Sequence, residues 1–362
     1  MGEKLFIQGN EAVGWGAVMA GCEAFFGYPI TPQNEVTEWF AREFPKRGKV
    51  FVQSQSETAS INMLYGAAAT GVRAMTSTSS PGWGLMQEGM SNLANAELPC
   101  VLVLVSRGGP GAGTTRHSQM DYTPVTRGGG GGGYRNITLA PWSVQETHDH
   151  VQLAFHLADK YRNPAIVLSD AILGQMAEPL EVRPLDLGPL PAKDWAVKGV
   201  GRQPDGQRRG HGSGQGFMPT VKYPTYLAFL KAFDQKLKAM KAQEVRCESH
   251  QTEGAKLILV AFGSSARVAL GAMEMAREGG MKVGLFRPIT LWPFPYEALR
   301  KLANGAKFLV VEDNLGQMVE DVQMAVGEKG EVHFVGALAR HEPREQGMIF
   351  PDKVLEKIRE VY

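Results

Sequence analysis

Short apolar runs alternate with segments of helical apolar spacing along most of the chain. Runs such as Leu98–Ser106 (LPCVLVLVS) and Leu257–Phe262 are nearly continuous in apolar residues, which is typical of parallel strands buried on both faces. Each run is followed by a turn and then by a helical pattern. This alternation predicts an α/β fold with two parallel-sheet domains.

The predicted strands fall into two groups. Those of the first group are Lys4–Gly9, Glu23–Tyr28, Val50–Val52, Arg73–Thr78, Leu98–Ser106 and Pro164–Ser169. Those of the second group are Leu257–Phe262, Lys282–Phe286, Lys307–Val311 and Val332–Val335. We therefore predict a first domain at residues 1–180 and a second at residues 255–362, with a connecting segment at residues 181–254.

The connecting segment differs from both domains in composition. It is rich in Pro and Gly, contains the basic run Arg208–Gly216, and ends in a helical pattern from Tyr226. The basic run has two readings, a nucleic-acid-binding tail or a surface loop that contacts a partner. Its lack of aromatic residues for base stacking favours the loop.

Composition and charge exclude several classes of protein. A formal net charge of +1 argues against nucleic acid or an anionic membrane as the main partner. The longest apolar run, Leu98–Val105, is too short to span a bilayer. No charged-then-apolar leader precedes the first strand, and Cys22, Cys100 and Cys247 are spaced too widely for a disulfide framework or a metal motif. We expect a cytoplasmic protein whose redox centres, if it works with any, lie on other chains.

Glu57 is the first candidate functional residue. It follows the strand Val50–Val52 and a polar turn, and it heads a helix rich in small residues. In parallel sheets, ligands bind where strand carboxyl ends and helix N-termini meet. Glu57 therefore either stabilises the helix start or binds a cofactor nitrogen.

Thr31 and Arg107 follow two other predicted strands. Thr31 lies between two prolines, with Pro32 expected at the first helical position, so it is either an N-cap or part of an anion site. Arg107 follows the most apolar strand, and its guanidinium either forms an ion pair within its loop or binds a substrate carboxylate.

Three further patterns carry weaker signals. Gly128–Gly133 lacks the Lys-Ser/Thr of a phosphate-binding loop and is predicted to be a pliant loop, and no GxGxxG opens either domain. The cluster His148, Asp149 and His150 resembles a metal site, but its helical pattern favours a solvated helix surface. Pro81–Gly82 is expected to break the chain before a helix at Leu85–Ala96.

Several motifs together resemble those of one enzyme family. They are Gly27–Pro32 (GYPITP), Gln55–Gly71 (QSETASINMLYGAAATG), Ser79–Gly89 (SSPGWGLMQEG), Glu97–Gly111 (ELPCVLVLVSRGGPG) and Tyr134–Glu146 (YRNITLAPWSVQE). The chain resembles the α subunit of 2-oxoacid:ferredoxin oxidoreductases, most closely the 2-oxoisovalerate (branched-chain) type, over nearly its whole length except residues 198–222.

The resemblance implies a pyrimidine-binding domain of the thiamine diphosphate fold, followed by a transketolase C-terminal-like domain. Glu57 matches the family carboxylate that bonds the aminopyrimidine ring nitrogen of thiamine diphosphate. A proton shared between that carboxylate and the ring nitrogen favours the imino tautomer. Thr31 and Arg107 match residues that hold the 2-oxoacid, and Pro29, Ile30 and Ser80 are implied as further cofactor contacts.

Two family motifs are missing from this chain. It has no Gly-Asp-Gly motif for Mg²⁺ and the diphosphate, since only the Pro204-Asp-Gly sequence comes near, and no cysteine runs for iron–sulfur clusters. The resemblance therefore implies a β subunit for the diphosphate end, a γ subunit, and a ferredoxin-like δ subunit with the clusters. It also implies an external ferredoxin and a dimer of hetero-oligomers, in which this chain is inactive alone.

The implied reaction is the oxidative decarboxylation of a branched-chain 2-oxoacid with coenzyme A, giving acyl-CoA, carbon dioxide and reduced ferredoxin. One alternative is the same chemistry on 2-oxoglutarate or another 2-oxoacid, since one methylene changes binding by only about 1–3 kcal/mol. Another is a non-redox thiamine-dependent decarboxylase subunit, against which the second domain argues, since it adds nothing that such an enzyme needs. The last is a non-catalytic scaffolding subunit, against which the presence of Thr31, Glu57 and Arg107 argues.

Overall fold

The computed structural model describes residues 3–197, 223–339 and 348–362. The basic run Arg208–Gly216 and the Pro204-Asp-Gly sequence lie outside the described residues, so the predictions made for them stay predictions.

Strands and helices alternate through most of the described chain. The strands are β1 (Glu3–Gln8), β2 (Ala24–Gly27), β3 (Val50–Gln53), β4 (Ala74–Ser79), β5 (Val101–Ser106), β6 (Ile137–Leu139), β7 (Ala165–Asp170), β8 (Ala177–Val182), β9 (Cys247–His250), β10 (Leu257–Ala261), β11 (Val283–Pro288), β12 (Thr290–Trp292), β13 (Lys307–Val311) and β14 (Val332–Val335). The α-helices are α1 (Gly9–Met19), α2 (Asn34–Glu43), α3 (Glu57–Ala69), α4 (Ser80–Asn95), α5 (Tyr122–Arg127), α6 (Val144–Tyr161), α7 (Ala171–Gln175), α8 (Tyr226–Gln243), α9 (Gly263–Glu278), α10 (Tyr296–Leu302), α11 (Met318–Val326) and α12 (Pro351–Val361).

A seven-stranded sheet forms the first half of the molecule. Its strand order is β12-β6-β7-β5-β4-β2-β3, and every pair is parallel except β12 with β6. The central strand β5 is buried on both faces, as its apolar run predicts. Leu102 and Leu104 pack into one hydrophobic cluster, whereas Val101, Val103 and Val105 pack into another on the opposite face.

A five-stranded sheet forms the second half, in the order β14-β13-β10-β11-β9. Its pairs are parallel except β11 with β9. The prediction of an α/β protein with two mainly parallel sheets is therefore confirmed.

Three short pairings were missed by the sequence analysis. Strand β1 was predicted, but it pairs with β8 in a separate antiparallel ribbon rather than in the first sheet. Strand β9 lies within the predicted connecting segment and joins the second sheet. Strand β12 lies in the stretch RPITLWPFP at residues 287–295, whose proline content predicts a loop, and it extends the first sheet. Strand β8 crosses residue 180, and β9 of the predicted connecting segment belongs to the second sheet, so the domain boundaries stay predictions.

Helix α4 begins five residues earlier than predicted. Pro81 was expected to break the chain, but it lies in the first turn of α4. A proline is tolerated there because the backbone N–H groups of the first turn have no partner within the helix. The correction matters because it places Ser80 and Gly82 in the first turn of a helix.

Buried polar contacts join the two sheets. The imidazole of His117 lies between two carboxylates, with Nδ1 3.2 Å from Oδ1 of Asp170 and Nε2 3.1 Å from Oδ2 of Asp313. Asp170 ends β7 of the first sheet, whereas Asp313 follows β13 of the second. All three side chains are buried. This ion triad is therefore a direct electrostatic link between the two halves.

A second link is provided by Arg287, which is fully buried at the end of β11. Its guanidinium bonds Glu146 of α6 at 2.5 Å and Glu248 of β9 at 3.1 Å, and it stacks on the ring of Trp142. Because a buried cation without a partner is costly, the bond to Glu146 holds β11 of the second sheet against α6 of the first half.

None of the helices within the described ranges combines the length and the apolar character that crossing a lipid bilayer needs.

Candidate active site

Four neighbouring strands of the first sheet each deliver one predicted site residue to the same edge. Thr31 follows β2, Glu57 follows β3, Ser80 follows β4 and Arg107 follows β5. These strands lie side by side in the order β5-β4-β2-β3 and run parallel, so their carboxyl ends meet. This is the edge at which α/β sheets bind ligands.

Glu57 is the first residue of α3 and is only 5% exposed. Capping of α3 is done by Ser56, whose Oγ accepts a hydrogen bond from the backbone N–H of Ala59 at 3.1 Å. Among the residues that the structure describes, none donates a hydrogen bond to the Glu57 carboxylate or forms an ion pair with it. A buried carboxylate without a donor is costly unless a ligand supplies one.

Gly82 makes room for the Glu57 side chain. A Cβ atom at Gly82 would lie 2.7 Å from both Cγ and Oε1 of Glu57 and 2.1 Å from Oγ1 of Thr78. No larger residue fits without moving the carboxylate. Gly82 was not predicted as a site residue, because the Pro-Gly pair predicts a break before α4 rather than the first turn of the helix.

Ser80 belongs to a buried hydroxyl–carboxylate cluster. Its Oγ donates to Oδ2 of Asp121 at 2.5 Å, and Ser106 Oγ donates to the same oxygen at 2.5 Å. The backbone N–H of Arg107 donates to Ser80 Oγ at 2.9 Å. Burial raises the pKa of Asp121, and the two serine hydroxyls oppose that rise only in part. The cluster therefore fixes the start of α4 against the end of β5.

Arg107 contacts the Thr31 turn directly. Its Nη1 donates to the Thr31 carbonyl at 2.8 Å and its Nη2 to the Ala112 carbonyl at 2.9 Å, while the buried Nε has no hydrogen-bond partner among the described residues. No carboxylate of the described ranges forms an ion pair with this guanidinium. The alternative of an ion pair within the loop is therefore not observed.

Thr31 is not the N-cap of α2. The helix begins at Asn34 with Gln33 at the N-cap position, so Pro32 also precedes the helix rather than opening it. The Thr31 hydroxyl instead accepts a hydrogen bond from Nδ2 of Asn34 at 3.3 Å. Gln33 occupies the N-cap position instead, and its side chain is buried beneath the turn.

Gln33 anchors that turn from the inside. It is fully buried, its Oε1 accepts from Ser77 Oγ of β4 at 2.6 Å, and its Nε2 donates to the Tyr28 carbonyl at 3.1 Å. Pro29 and Ile30 lie between these two anchors, on the surface of the same turn. The sequence offered no signal for Gln33, since nothing in a local pattern pairs a turn glutamine with a strand serine 44 residues away.

The histidine cluster is not a solvated surface as predicted. His148 is fully buried and His150 is 8% exposed, because α6 packs on both the first sheet and α1. His148 Nδ1 lies 2.8 Å from Oδ1 of Asp149, and burial lowers the pKa of His150 to about 3. No group of histidine, cysteine and acidic side chains in the described part of the chain is arranged to hold a metal ion.

Two family models match the chain. Residues 15–242 match the model described as pyruvate flavodoxin/ferredoxin oxidoreductase, thiamine diphosphate-binding. Residues 255–347 match pyruvate:ferredoxin oxidoreductase core domain II.

Individual proteins match over almost the whole chain. The ketoisovalerate oxidoreductase subunit VorB of Methanothermobacter marburgensis is 46% identical, over 98% of this chain and 97% of its own length. The 2-oxoglutarate synthase subunit KorA of Methanothermobacter thermautotrophicus is 36% identical, over 95% of this chain and 97% of its own.

A solved structure is also similar. It is the 2-oxoglutarate:ferredoxin oxidoreductase of Magnetococcus marinus with 2-oxoglutarate, coenzyme A and succinyl-CoA bound, with a TM-score of 0.83 and 26% identity. The match covers 99% of this chain, which spans 65% of that one. These matches confirm the predicted family: the chain belongs to the 2-oxoacid:ferredoxin oxidoreductases, as a member of their thiamine diphosphate-binding α subunits.

Proposed function

We propose that this chain provides the pyrimidine end of a thiamine diphosphate site in a 2-oxoacid:ferredoxin oxidoreductase that acts on a branched-chain 2-oxoacid. With coenzyme A, the assembled enzyme would form acyl-CoA and carbon dioxide and pass two electrons singly to ferredoxin. The observation that carries the proposal is the buried Glu57 carboxylate, which has no donor among the described residues and faces the space left by Gly82.

Glu57 would hold a proton between its carboxylate and the ring nitrogen of the cofactor. Because Glu57 is only 5% exposed and lies at a helix N-terminus, its carboxylate can accept a hydrogen bond from a protonated ring with little competition from bulk water. Thiamine diphosphate, when bound, supplies the carbanion that adds to the 2-oxo carbon. Ser80, Pro29 and Ile30 would line the same edge of the sheet, with Ser80 held in place by Asp121.

Arg107 and Thr31 would orient the substrate. The guanidinium of Arg107 has no carboxylate partner among the described residues, so its charge is available to an anionic ligand. Its hydrogen bond to the Thr31 carbonyl holds the two residues as one unit. We infer that this unit holds the carboxylate and carbonyl of the 2-oxoacid beside the cofactor.

A β subunit would complete the site. The chain has no Gly-Asp-Gly motif for Mg²⁺ and the diphosphate, so we place these on that partner. Its docking surface would be the outer face of α3 and α4, where Met63 is 40% and Leu85 57% exposed. Gly66 and Gly84 leave the same face open, since a Cβ at either would meet nothing within 4 Å. Exposed apolar side chains with small neighbours suit a close helix-to-helix contact.

The other partners follow from the reaction. Iron–sulfur clusters would lie on a ferredoxin-like δ subunit or on another partner, a γ subunit would help to bind coenzyme A, and an external ferredoxin would take the electrons. We propose a dimer of such hetero-oligomers in the cytoplasm.

The choice of a branched-chain substrate is supported by similarity. Identity is 46% to a ketoisovalerate oxidoreductase subunit and 36% to a 2-oxoglutarate synthase subunit, both over nearly the full chain. 2-Oxoglutarate is the second candidate, supported by that subunit and by the Magnetococcus structure.

Turnover by the co-expressed subunits tests the proposal. The purified complex is assayed with 2-oxoisovalerate, pyruvate and 2-oxoglutarate, each with coenzyme A and an oxidised ferredoxin. We expect the highest kcat/KM for 2-oxoisovalerate. A preference for 2-oxoglutarate would overturn the substrate assignment, and no thiamine-dependent turnover of any 2-oxoacid would overturn the proposed function.

A further inference from the structure

A large cavity lies at the edge of the first sheet, next to β12. Its volume is about 670 Å³, within the usual range for small-molecule sites. Three parts of the chain line it: the end of α8 with the turn after it, the segment from β12 into α10, and the two arginines that flank the glycine tract. It shares no residue with the candidate active site.

One wall of the cavity is aromatic and apolar. Trp292 and Phe294 are only 5% and 4% exposed and form its floor, with Pro293 between them and Pro295 after Phe294. The ring of Tyr296 meets Phe294 edge to face, with centroids 5.0 Å apart. Tyr296 is partly exposed, and an accessible aromatic ring above a buried aromatic floor can bind a planar ring system by stacking.

Cations without acidic partners surround this wall. Arg135 Nη1 donates to the carbonyls of Arg127 and Tyr134, and no carboxylate among the described residues pairs with it. Burial, and then the nearby charge of Arg127, lowers the pKa of Arg135. Lys241 and Lys301 are exposed at the rim and are likewise without an acidic partner within the described ranges.

The other charges at the cavity are already balanced. Arg127 Nη2 lies 2.8 and 2.9 Å from the two carboxylate oxygens of Asp321. Glu297 is paired with Arg300 at 2.5 Å. Three positive charges therefore remain for a ligand, which is more than a single carboxylate needs and favours a group with at least two negative charges.

We propose that this cavity binds a nucleoside phosphate, with its base stacked on the partly exposed ring of Tyr296 and its phosphates between Arg135, Lys241 and Lys301. An uncharged ring would use only the aromatic wall, and inorganic phosphate would use only the cations. The site is an addition to the proposed function and does not depend on it, since no residue of the Glu57 site contributes.

Photolabelling of the assembled complex tests the site. The probe is 8-azido-ADP, and the readout is adduct formation within residues 241–245 and 292–301, mapped by peptide mass spectrometry. We expect saturable labelling there, suppressed by excess ADP more effectively than by adenosine or by inorganic diphosphate. No saturable label in these two segments would overturn the proposal.

Two variants and a control distinguish binding in this cavity from a general effect of surface charge. Arg135→Gln removes the half-buried cation, whereas the double variant Lys241→Gln and Lys301→Gln changes only the exposed rim and leaves the fold intact. We expect Arg135→Gln to weaken ADP protection about tenfold, as the loss of one charge-assisted contact to a phosphate does, and the double variant, which loses two such contacts, to weaken it further. Lys329→Gln, an exposed lysine outside the cavity, should leave protection unchanged.

Protection that is equal in all of these variants would contradict the proposal. So would inorganic diphosphate or adenosine protecting as well as ADP does, because either result would leave one half of the cavity without a role.

Discussion

Replacing His117 with asparagine should weaken the link between the two sheets in a pH-dependent way. The variant keeps a side chain of similar polarity but leaves the buried carboxylates of Asp170 and Asp313 without a cation between them. Breaking a buried ion pair by removing one partner typically destabilises a protein by about 3–5 kcal/mol.

The pKa of His117 gives an independent value for the contribution of this ion triad to the free energy of unfolding. Burial disfavours the charged imidazole, but the carboxylates of Asp170 and Asp313 outweigh burial and raise its pKa from 6.5 to about 9. At about 1.4 kcal/mol for each pKa unit, this rise corresponds to about 3 kcal/mol of stability. Because the folded pKa is raised, that stability is fully present below pH 6.5 and is lost as the pH rises through about 9.

The assay is thermal unfolding of the assembled complex between pH 6 and pH 9.5, for the wild type and His117→Asn. We expect a clear loss of Tm in the variant at pH 6.5 and a difference that narrows as the pH approaches 9.5. His333→Asn, at a partly exposed edge-strand pair with Glu331, is the control and should change Tm little. A pH-independent gap, or no gap at all, would refute the reasoning.

Three further predictions concern the candidate site. Gly82→Ala should reduce turnover about a hundredfold by displacing the Glu57 carboxylate, as misplacement of a catalytic group by about 1 Å does. Gly271→Ala on α9, where the added Cβ would make only ordinary contacts, should not reduce it, and equal rates for the two variants would contradict this. Arg107→Ala should raise KM for the 2-oxoacid at least about tenfold and leave KM for coenzyme A unchanged, and equal effects on both would argue against a carboxylate role. Titration calorimetry of the purified chain alone should detect no tight binding of thiamine diphosphate, and tight binding would mean that the diphosphate site lies on this chain.

The two parallel sheets could be predicted from the sequence because their strands carry the signal themselves. Strand β5 is a continuous apolar run, and burial on both faces of a parallel sheet demands such a run. The position of Glu57 at the head of α3 was predicted for the same local reason, a short strand followed by a polar turn and a helical pattern.

The edge strands could not be predicted in this way. Strands β9 and β12 have four and three residues, which is too short for a recognisable alternation of apolar and polar positions. Their sequences therefore do not show that they pair with β11 and β6. The proline-rich composition around β12 favours a loop, and only the antiparallel pairing with β6 at the sheet edge overrides it.

The polar residues that hold the site residues in place could not be predicted from local sequence patterns either. Asp121 meets Ser80 and Ser106 from a loop that follows β5, and Gln33 meets Ser77 across two strands. Such contacts are decided by tertiary packing, which brings together residues far apart in sequence. Conversely, His148 and His150 were assigned to solvent because an isolated helical pattern does not show that α6 is covered on two sides.

The role of Glu57 is the central claim, and turnover by the assembled complex carrying Glu57→Gln tests it most directly. Glutamine keeps the size of the side chain but cannot hold the proton, so we expect turnover to fall at least about a hundredfold while size-exclusion chromatography shows intact assembly. Glu38→Gln, an exposed glutamate on α2, should retain wild-type turnover. Wild-type turnover by an intact Glu57→Gln complex would contradict the account.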